Sequence, residues 1–393
     1  MNDTATFWDA ERMTMTEAIE QTIASLRAFA ATHQHWAIGF SGGKDSGTVA
    51  SLIPHLIRSG KVPRPKSLTI LYADTRMELP PLQASALAML AALEKMGHKT
   101  QVILPPLEDR FFVYILGRGV PPPSNTFRWC TPMLKVDPMV GALKALRDSR
   151  GEKFLMITGV RVGESAARDG RIAISCGKNG AECGQGWFQE TTPEAVADTL
   201  APILHWRVCL IWKWLRDYAP GLGFPTQLIA ESYGGDEAEE VNARTGCAGC
   251  NLASRDVALE TIIKNPKWAH LAALLELRKV YAELKRPGNR LRKDGSERRK
   301  DAVLSSNPNR MGPLTMTARR WGLAQIKRIQ AAARVDLINE QEEAAILGMI
   351  EANTWPNGWE GTEPVADTPM DETIAEGIVQ PVFLDMLREA HRA

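Results

Sequence analysis

Residues 38–49 read IGFSGGKDSGTV: an apolar run, then Ser41-Gly42-Gly43-Lys44-Asp45-Ser46, then the start of a helical pattern. Glycines that follow a strand let the backbone turn tightly and present N–H groups to an anion at a helix N-terminus. Ser41 and Ser46 add hydroxyl donors and Lys44 a positive charge, so the chemistry on offer is phosphate binding. The Walker A pattern is not met, because Asp45 stands where the magnesium-binding hydroxyl would be and the spacing from Gly39 is one residue short. Cleavage between the β and γ phosphates is therefore disfavoured. A second stretch, Cys247-x-x-Cys250, has the spacing that lets two thiolates reach one metal or cluster. The seven histidines show no H-E-x-x-H, and no G-x-S-x-G elbow announces a hydrolase.

These residues need a scaffold. Residues 15–33 carry Ala18, Ile19, Ile23, Leu26 and Phe29 at helical spacing. HWAIGF reads as a buried strand, 45–59 as a helix, SLTILYAD as a second strand, 80–97 as a second helix and TQVILPP as a third strand. A helix at about 137–148 and the strand KFLMITGV continue the alternation, which predicts an α/β doubly wound, mostly parallel sheet covered on both faces. Residues 165–200 are weakly periodic and read as a long loop or insertion, after which PILHWRVCLIWKWLRDYA returns to a strand end and a helix. Beyond about residue 255 the pattern is helical, broken by the Gly/Pro/Arg-rich stretch 286–313. The expected organisation is a helical lead over 1–35, an α/β domain over 36–254 and a helical C-terminal region over 255–393.

The chain has 393 residues, 44% hydrophobic and 24% charged, as in an ordinary globular protein with room for more than one domain. Its net charge of +1 hides an asymmetry. From Lys285 to Arg328 there are thirteen Lys or Arg against three acids; from Glu340 onward there are twelve acids against two arginines. A basic block (285–328) followed by an acidic tail (340–393) suggests an anionic partner and a tail that could compete for the same surface; two oppositely solvated faces are the plainer alternative. The first residues lack a basic region leading into an apolar core, and no apolar stretch reaches the roughly 18 residues that span a bilayer. A cytoplasmic protein with no membrane partner is expected, with its cysteines serving as thiols, metal ligands or catalysts.

The opening loop resembles the SGGxDS loop of the PP-loop ATP pyrophosphatases, which cleave ATP between the α and β phosphates. That resemblance implies an adenine-nucleotide α-hydrolase-like fold, with ATP and Mg2+ as cofactors and the β–γ unit held on Ser41, Gly42, Gly43, Lys44, Asp45 and Ser46. Further stretches resemble the branch containing the phosphoadenylyl-sulfate reductases. YADTRMELP would place Asp74 and Thr75 near adenosine. RWCTPMLKVDP matches a Cys-x-x-x-x-Lys-x-x-Pro element with Cys130, Lys135 and Pro138. GVRVGESAAR supplies Gly159, Arg161, Glu164, Ser165 and Arg168, where arginines and a glutamate suit a triphosphate and its metal. RTGCAGCNLASRDVALE, with Arg244, Cys247, Cys250, Asp256 and Glu260, is similar to an element of the DNA phosphorothioation proteins of the DndC/SspD type. MIEANTWPNGWEGTE resembles their terminal signature.

In that family ATP activates a non-bridging phosphate oxygen of DNA, and sulfur from a cysteine desulfurase replaces it. The implied partners are DNA, a cysteine desulfurase and other DNA phosphorothioation proteins. The implied catalytic set is Lys44, Asp45, Arg161, Glu164, Arg168 and Cys130. Two features depart from sulfate-assimilating reductases: no cysteine follows Cys250, and the adjacent Cys-Cys pair is Trp129-Cys130. A phosphoadenylyl-sulfate reductase, a tRNA thiolase and a non-catalytic nucleotide-binding subunit remain alternatives. With Cys130 near the nucleotide site as the family places it, Cys130, Cys247 and Cys250 could converge on a [4Fe–4S] cluster, with Cys183 or an exogenous sulfur as fourth ligand. A structural zinc and a metal-free thiol relay stay open. Cys209, inside WRVCLIW, reads as an ordinary core thiol, and Cys176 is ambiguous. The stretch KRPGNRLRKDGSERRKD could neutralise backbone phosphates, and ARRWGLAQIKRIQ adds a basic helix face with an aromatic.

Overall fold

The computed structural model describes residues 13–30, 32–163, 187–189, 196–233, 247–253, 255–292, 311–366, 372–375 and 378–381. The chain divides into two compact units, the first comprising Met1–Asp74, Glu78–Leu104 and Lys135–Gly246. It opens with helix α1 (Met15–Phe29), which starts on a capping box between Thr14 and Glu17. There follow β1 (His35–Phe40), α2 (Lys44–Arg58), β2 (Ser67–Ala73), α3 (Pro80–Lys95), β3 (Lys99–Ile103), α4 (Asp137–Arg150) and β4 (Phe154–Ile157). The unit continues with β5 (Trp187–Gln189), β6 (Ala197–Ala201), α5 (Val208–Lys213) and α6 (Gln227–Ser232).

The strands form one six-stranded sheet in the order β3-β2-β1-β4-β6-β5. All neighbours are parallel except β5 and β6, which confirms the α/β, mostly parallel architecture read from the alternation. Ala37, Leu71 and Phe154 pack with Leu143 of α4 on one face. Because strand side chains alternate, Ile38, Ile70 and Leu155 point to the other face, where they too are fully buried. The chain steps outward from β1 through β2 to β3, then returns to β4 on the opposite side of β1. That reversal makes the carboxyl ends of β1 and β4 a topological switch point, where open α/β sheets bind ligands.

Two sequence expectations in this unit are corrected. Strand β6 falls at the end of the stretch read as a loop over 165–200. Its apolar pattern is interrupted by Asp198, which is buried, hydrogen-bonded to the His33 ring at 2.8 Å and paired with Lys153 at 3.1 Å. Cys209 is exposed rather than a core thiol, because the short α5 turns Leu210, Ile211 and Trp212 inward instead.

The second unit comprises Thr75–Met77, Pro105–Leu134 and Cys247–Ala393. Its C-terminal part is largely helical: α7 (Val257–Ile262), a 3-10 segment Pro266–Glu276, α8 (Leu277–Leu284), then β7 (Arg290–Arg292) paired antiparallel with β8 (Met311–Leu314), α9 (Met316–Ala333), α10 (Glu340–Glu351) and the antiparallel pair β9 (Glu372–Ala375) and β10 (Ile378–Pro381). An aromatic cluster anchors it. The Phe111 ring stacks on Trp129 at 5.4 Å and meets Tyr281 edge-on at 5.8 Å. Trp129, which replaces a cysteine of the reductase pattern, is thus a core residue.

The charged C-terminal blocks are partly consumed in packing. Arg319, read as part of a basic helix face, is fully buried. It donates to the carbonyls of Leu116 and Thr354, each at 2.8 Å, and to that of Gly117. Lys327 pairs with Glu343, and Arg328 with Glu276 at 2.5 Å. From the acidic block, Glu342 closes the capping box of α10 with Asn339 and accepts Arg76 at 3.3 Å and Arg110 at 3.2 Å. Among the described residues no helix is long and apolar enough to cross a membrane.

Candidate functional site

Strand β1 ends at Phe40 and α2 begins at Lys44, so Ser41, Gly42 and Gly43 make the turn. Gly42 has φ 75°, a left-handed conformation that favours glycine. Gly43 is the N-cap of α2 and offers no side-chain cap. The Ser46 hydroxyl closes the loop, accepting from the Ser41 N–H at 3.1 Å and donating to the Gly43 carbonyl at 3.2 Å. The N–H groups of Gly42 and Gly43 have no intrachain partner among the described residues. Two open donors therefore stand at the positive end of a fifteen-residue helix, a local anion site.

Asp45 is held between two cations: Lys44 Nζ lies 2.9 Å from Oδ2 and Arg161 Nε 2.5 Å from Oδ1. Burial pushes the Asp45 carboxyl up, but Lys44 and Arg161 outweigh it and hold the group below the usual carboxylate range. One carboxylate between two cations leaves one positive charge in excess beside the open N–H groups. Arg161 also donates to the Trp206 carbonyl at 3.0 Å. It reaches Asp45 because residue 159 is glycine: a Cβ there would sit 2.7 Å from the Asp45 carbonyl carbon and the Ser46 nitrogen. Those are main-chain atoms, which cannot step aside. Gly159 thus serves as the point of contact between the segment after β4 and the start of α2, and the cluster bridges the switch point.

Asp74 lies at the end of β2, buried, with Gln83 Nε2 at 3.3 Å from its carboxylate. Thr75 belongs to the second unit, where its hydroxyl accepts from the Met77 N–H at 3.3 Å. Glu164, Ser165 and Arg168 lie outside the described residues, as do Cys176, Cys183 and Arg244. Two site residues carried no sequence signal. Tyr233 accepts from the Lys44 N–H at 3.3 Å, and Lys44 Nζ stands 5.7 Å from its ring centroid. The Tyr72 hydroxyl is buried without a hydrogen-bond partner among the described residues, its ring edge 3.9 Å from where a Cβ of Gly42 would be.

The half-buried cysteines 130, 247 and 250 all belong to the second unit. The Cys250 N–H donates to the Cys247 carbonyl at 3.0 Å, and Gly249 takes φ 64° inside that turn. The turn presses on α8, for a Cβ at Gly249 would lie 2.6 Å from Leu277 Cβ. Arg278 fixes it by donating to the Cys250 and Ala253 carbonyls at 2.8 and 2.7 Å. Asp256 caps α7 through the Leu259 N–H at 3.2 Å, and Glu260 pairs with Arg255. Burial, with Cys250 nearby, pushes the Cys130 thiol up.

Tyr281, one turn beyond Leu277, is 1% exposed, and its hydroxyl has no hydrogen-bond partner among the described residues. Burial and the neighbouring Cys247 and Cys250 raise its phenol well above the ordinary value, so it remains an O–H donor. A buried donor with no acceptor among the described residues, beside the thiols of Cys247 and Cys250, fits a site for additional sulfur. Among the described residues no group of three His, Cys, Asp or Glu side chains is arranged to hold a single metal ion.

No protein-family model and no curated protein matches the chain. Solved structures of similar fold include a phosphoadenylyl-sulfate reductase from Candida auris in a phosphate complex, with 11% identity and a TM-score of 0.36, covering 61% of this chain and 98% of that one. Another is the U34-tRNA thiolase NcsA from Methanococcus maripaludis with its [4Fe-4S] cluster, with 14% identity and a TM-score of 0.34, covering 69% of this chain and 79% of that one. At these scores neither likeness bears on what the chain does, and its chemistry has to be read from the loop and its partners.

Proposed function

We propose that this protein is an ATP pyrophosphatase that adenylylates a DNA backbone phosphate for replacement by sulfur. The observation that carries the ATP step is the loop itself: two open N–H donors at the α2 N-terminus beside the Lys44–Asp45–Arg161 cluster. Pyrophosphate fits there as a leaving group, with Lys44 and Arg161 free to shift toward the charge that develops on it. A non-bridging oxygen of the phosphodiester attacks the α-phosphorus, the α–β bridging bond breaks, and pyrophosphate departs. Hydrosulfide then attacks the DNA phosphorus, the activated P–O bond breaks, AMP leaves and one proton is released. The products are a phosphorothioate diester, AMP and pyrophosphate.

Cys130, Cys247 and Cys250 would hold a [4Fe–4S] cluster, with Cys183 as the candidate fourth ligand. Such a cluster, when bound, supplies a place where sulfur stays deprotonated and away from water. Glu164 and Arg168 complete the proposed phosphate and Mg2+ set. DNA, a cysteine desulfurase and further phosphorothioation proteins are the proposed partners, in the cytoplasm.

The deciding assay is product analysis. Incubation with ATP and DNA yields AMP and pyrophosphate, and nuclease digestion of the DNA releases phosphorothioate-linked dinucleotides. ADP and orthophosphate would end the loop assignment. Pyrophosphate without DNA sulfur, but with thiolated tRNA or with sulfite formation, would move the same loop to the thiolase or reductase reading. A nucleotide-binding subunit without catalysis would show no DNA-dependent rise in ATP consumption.

A further inference from the structure

A cleft of about 570 Å³ opens within the second unit, between the turn at 120–127, the end of α8, strands β7 and β8, and residues 356–359. That volume suits a small organic ligand. Its walls are apolar and aromatic. Phe127, 46% exposed, is held outward by a tight turn in which its N–H donates to the Ser124 hydroxyl at 3.1 Å and its carbonyl accepts the Ser124 N–H at 3.2 Å. The Trp359 indole lies on Gly312, where a Cβ would fall 2.0 Å from the ring. Glycine at 312 is what seats the indole.

Lys285 and Arg290 line the same cleft, and among its described lining residues there is no acid. Arg290 is buried and fixed by the Gly312 and Met311 carbonyls at 2.5 and 3.0 Å, contacts that leave its charge unanswered. Lys285 is half-buried and pairs with no carboxylate among the described residues. Burial, with Arg290 beside it, pushes the Lys285 ammonium down from the ordinary lysine value. Other cations of the block are neutralised: Arg286 by Glu283 at 3.0 Å, Lys327 by Glu343 and Arg328 by Glu276. An inorganic anion would use only the cations, and an apolar molecule only the rings. A flat ring joined to a phosphate uses both.

We propose that this cleft binds one nucleotide unit, with the base against Phe127 and Trp359 and the phosphate at Lys285 and Arg290. The site goes beyond the ATP-cleaving loop, shares no residue with it, and stands whether or not that loop makes pyrophosphate. The unit can come from a free mononucleotide or from a nucleic-acid single strand, since the recognised chemistry is the same.

The test uses the full-length protein and two photoactivatable probes: a 5-bromodeoxyuridine-containing single-stranded 12-mer and 8-azido-AMP. Crosslinked peptides are mapped by mass spectrometry. Label on the peptides carrying Phe127 or Trp359 from the 12-mer alone identifies a strand as the source, and label from 8-azido-AMP alone identifies a free nucleotide. Label from both supports the nucleotide unit in either form, and label from neither at those peptides overturns the proposal. Phe127→Ala and Lys285→Gln should each weaken binding of the labelling probe about tenfold, and for the 12-mer Lys285→Gln should lower the salt slope by about 1. Wild-type affinity in both variants overturns the site. Asp45→Asn should still be labelled, so failure of the cleft and failure of the loop give different results.

Discussion

Asp45 in the first unit and Glu342 in the second are the same device in charge terms, a carboxylate gripped by two cations. Their surroundings differ. Glu342 is 2% exposed, and its carboxylate also accepts the Asn339 N–H at 3.0 Å, so its acceptor capacity is spent inside the fold. Asp45 sits in a turn whose glycine N–H groups have no partner among the described residues and whose helix end attracts anions. A buried ion triad alone is weak evidence of function, since it serves equally to fasten α10. Unspent backbone donors beside the triad are what distinguish a site from a fastening.

Substitutions at the two carboxylates test that contrast most strongly. Asp45→Asn should lower ATP-to-pyrophosphate turnover about a thousandfold, as for loss of a preorganised electrostatic group, a loss far larger than the accompanying fall in melting temperature accounts for. Turnover within threefold of wild type would break the comparison. Glu342→Gln should do the reverse, destabilising the protein by about 3 kcal/mol in urea titrations because Arg76 and Arg110 lose their counter-charge, while residual folded enzyme keeps its turnover. Gly159→Ala keeps every polar group yet drives a methyl into the Asp45 main chain; a loss of about a hundredfold in turnover is expected.

Acid response gives a smaller effect. The folded-state pKa of Asp45 is depressed, so its stabilising contribution is fully present above the ordinary carboxylate value of 3.8 and is lost as pH falls through the lower folded value. ATP protection against thermal unfolding should therefore hold from pH 7 down to about pH 5. The smallest change is at Tyr281→Phe, which removes a hydroxyl that has no partner among the described residues. Stability of the metal-free protein should stay within about 0.5 kcal/mol of wild type. After anaerobic reconstitution, iron and sulfide content and the visible absorbance should decay faster in air than in the wild type. Identical decay would show that the phenol does not serve the sulfur site.

The loop, the strand–helix alternation around it and the Cys-x-x-Cys turn were legible because each is written in contiguous residues. Partners from distant segments were not. Tyr233 meets Lys44 across 189 positions, and nothing around it in sequence marks it as part of a phosphate site. Strand β6 was hidden by Asp198, whose carboxylate finds its partners only once His33 and Lys153 are folded against it. Arg319 misled in the opposite direction: a cation on a basic-looking helix is fully buried, satisfied by main-chain carbonyls. Charge patterns show where ions are, and only folding decides which of them water still sees.

The bare hydrogen at residue 159 also sets a tolerance. With no side chain between them, the start of α2 and the strand end that carries Arg161 sit at van der Waals stop, so neither can drift without carrying the other. Occupation of the turn by a polyanion would then be felt at once by the neighbouring strand end, making the exposed Val162 a natural place to attach a reporter that senses nucleotide without touching it.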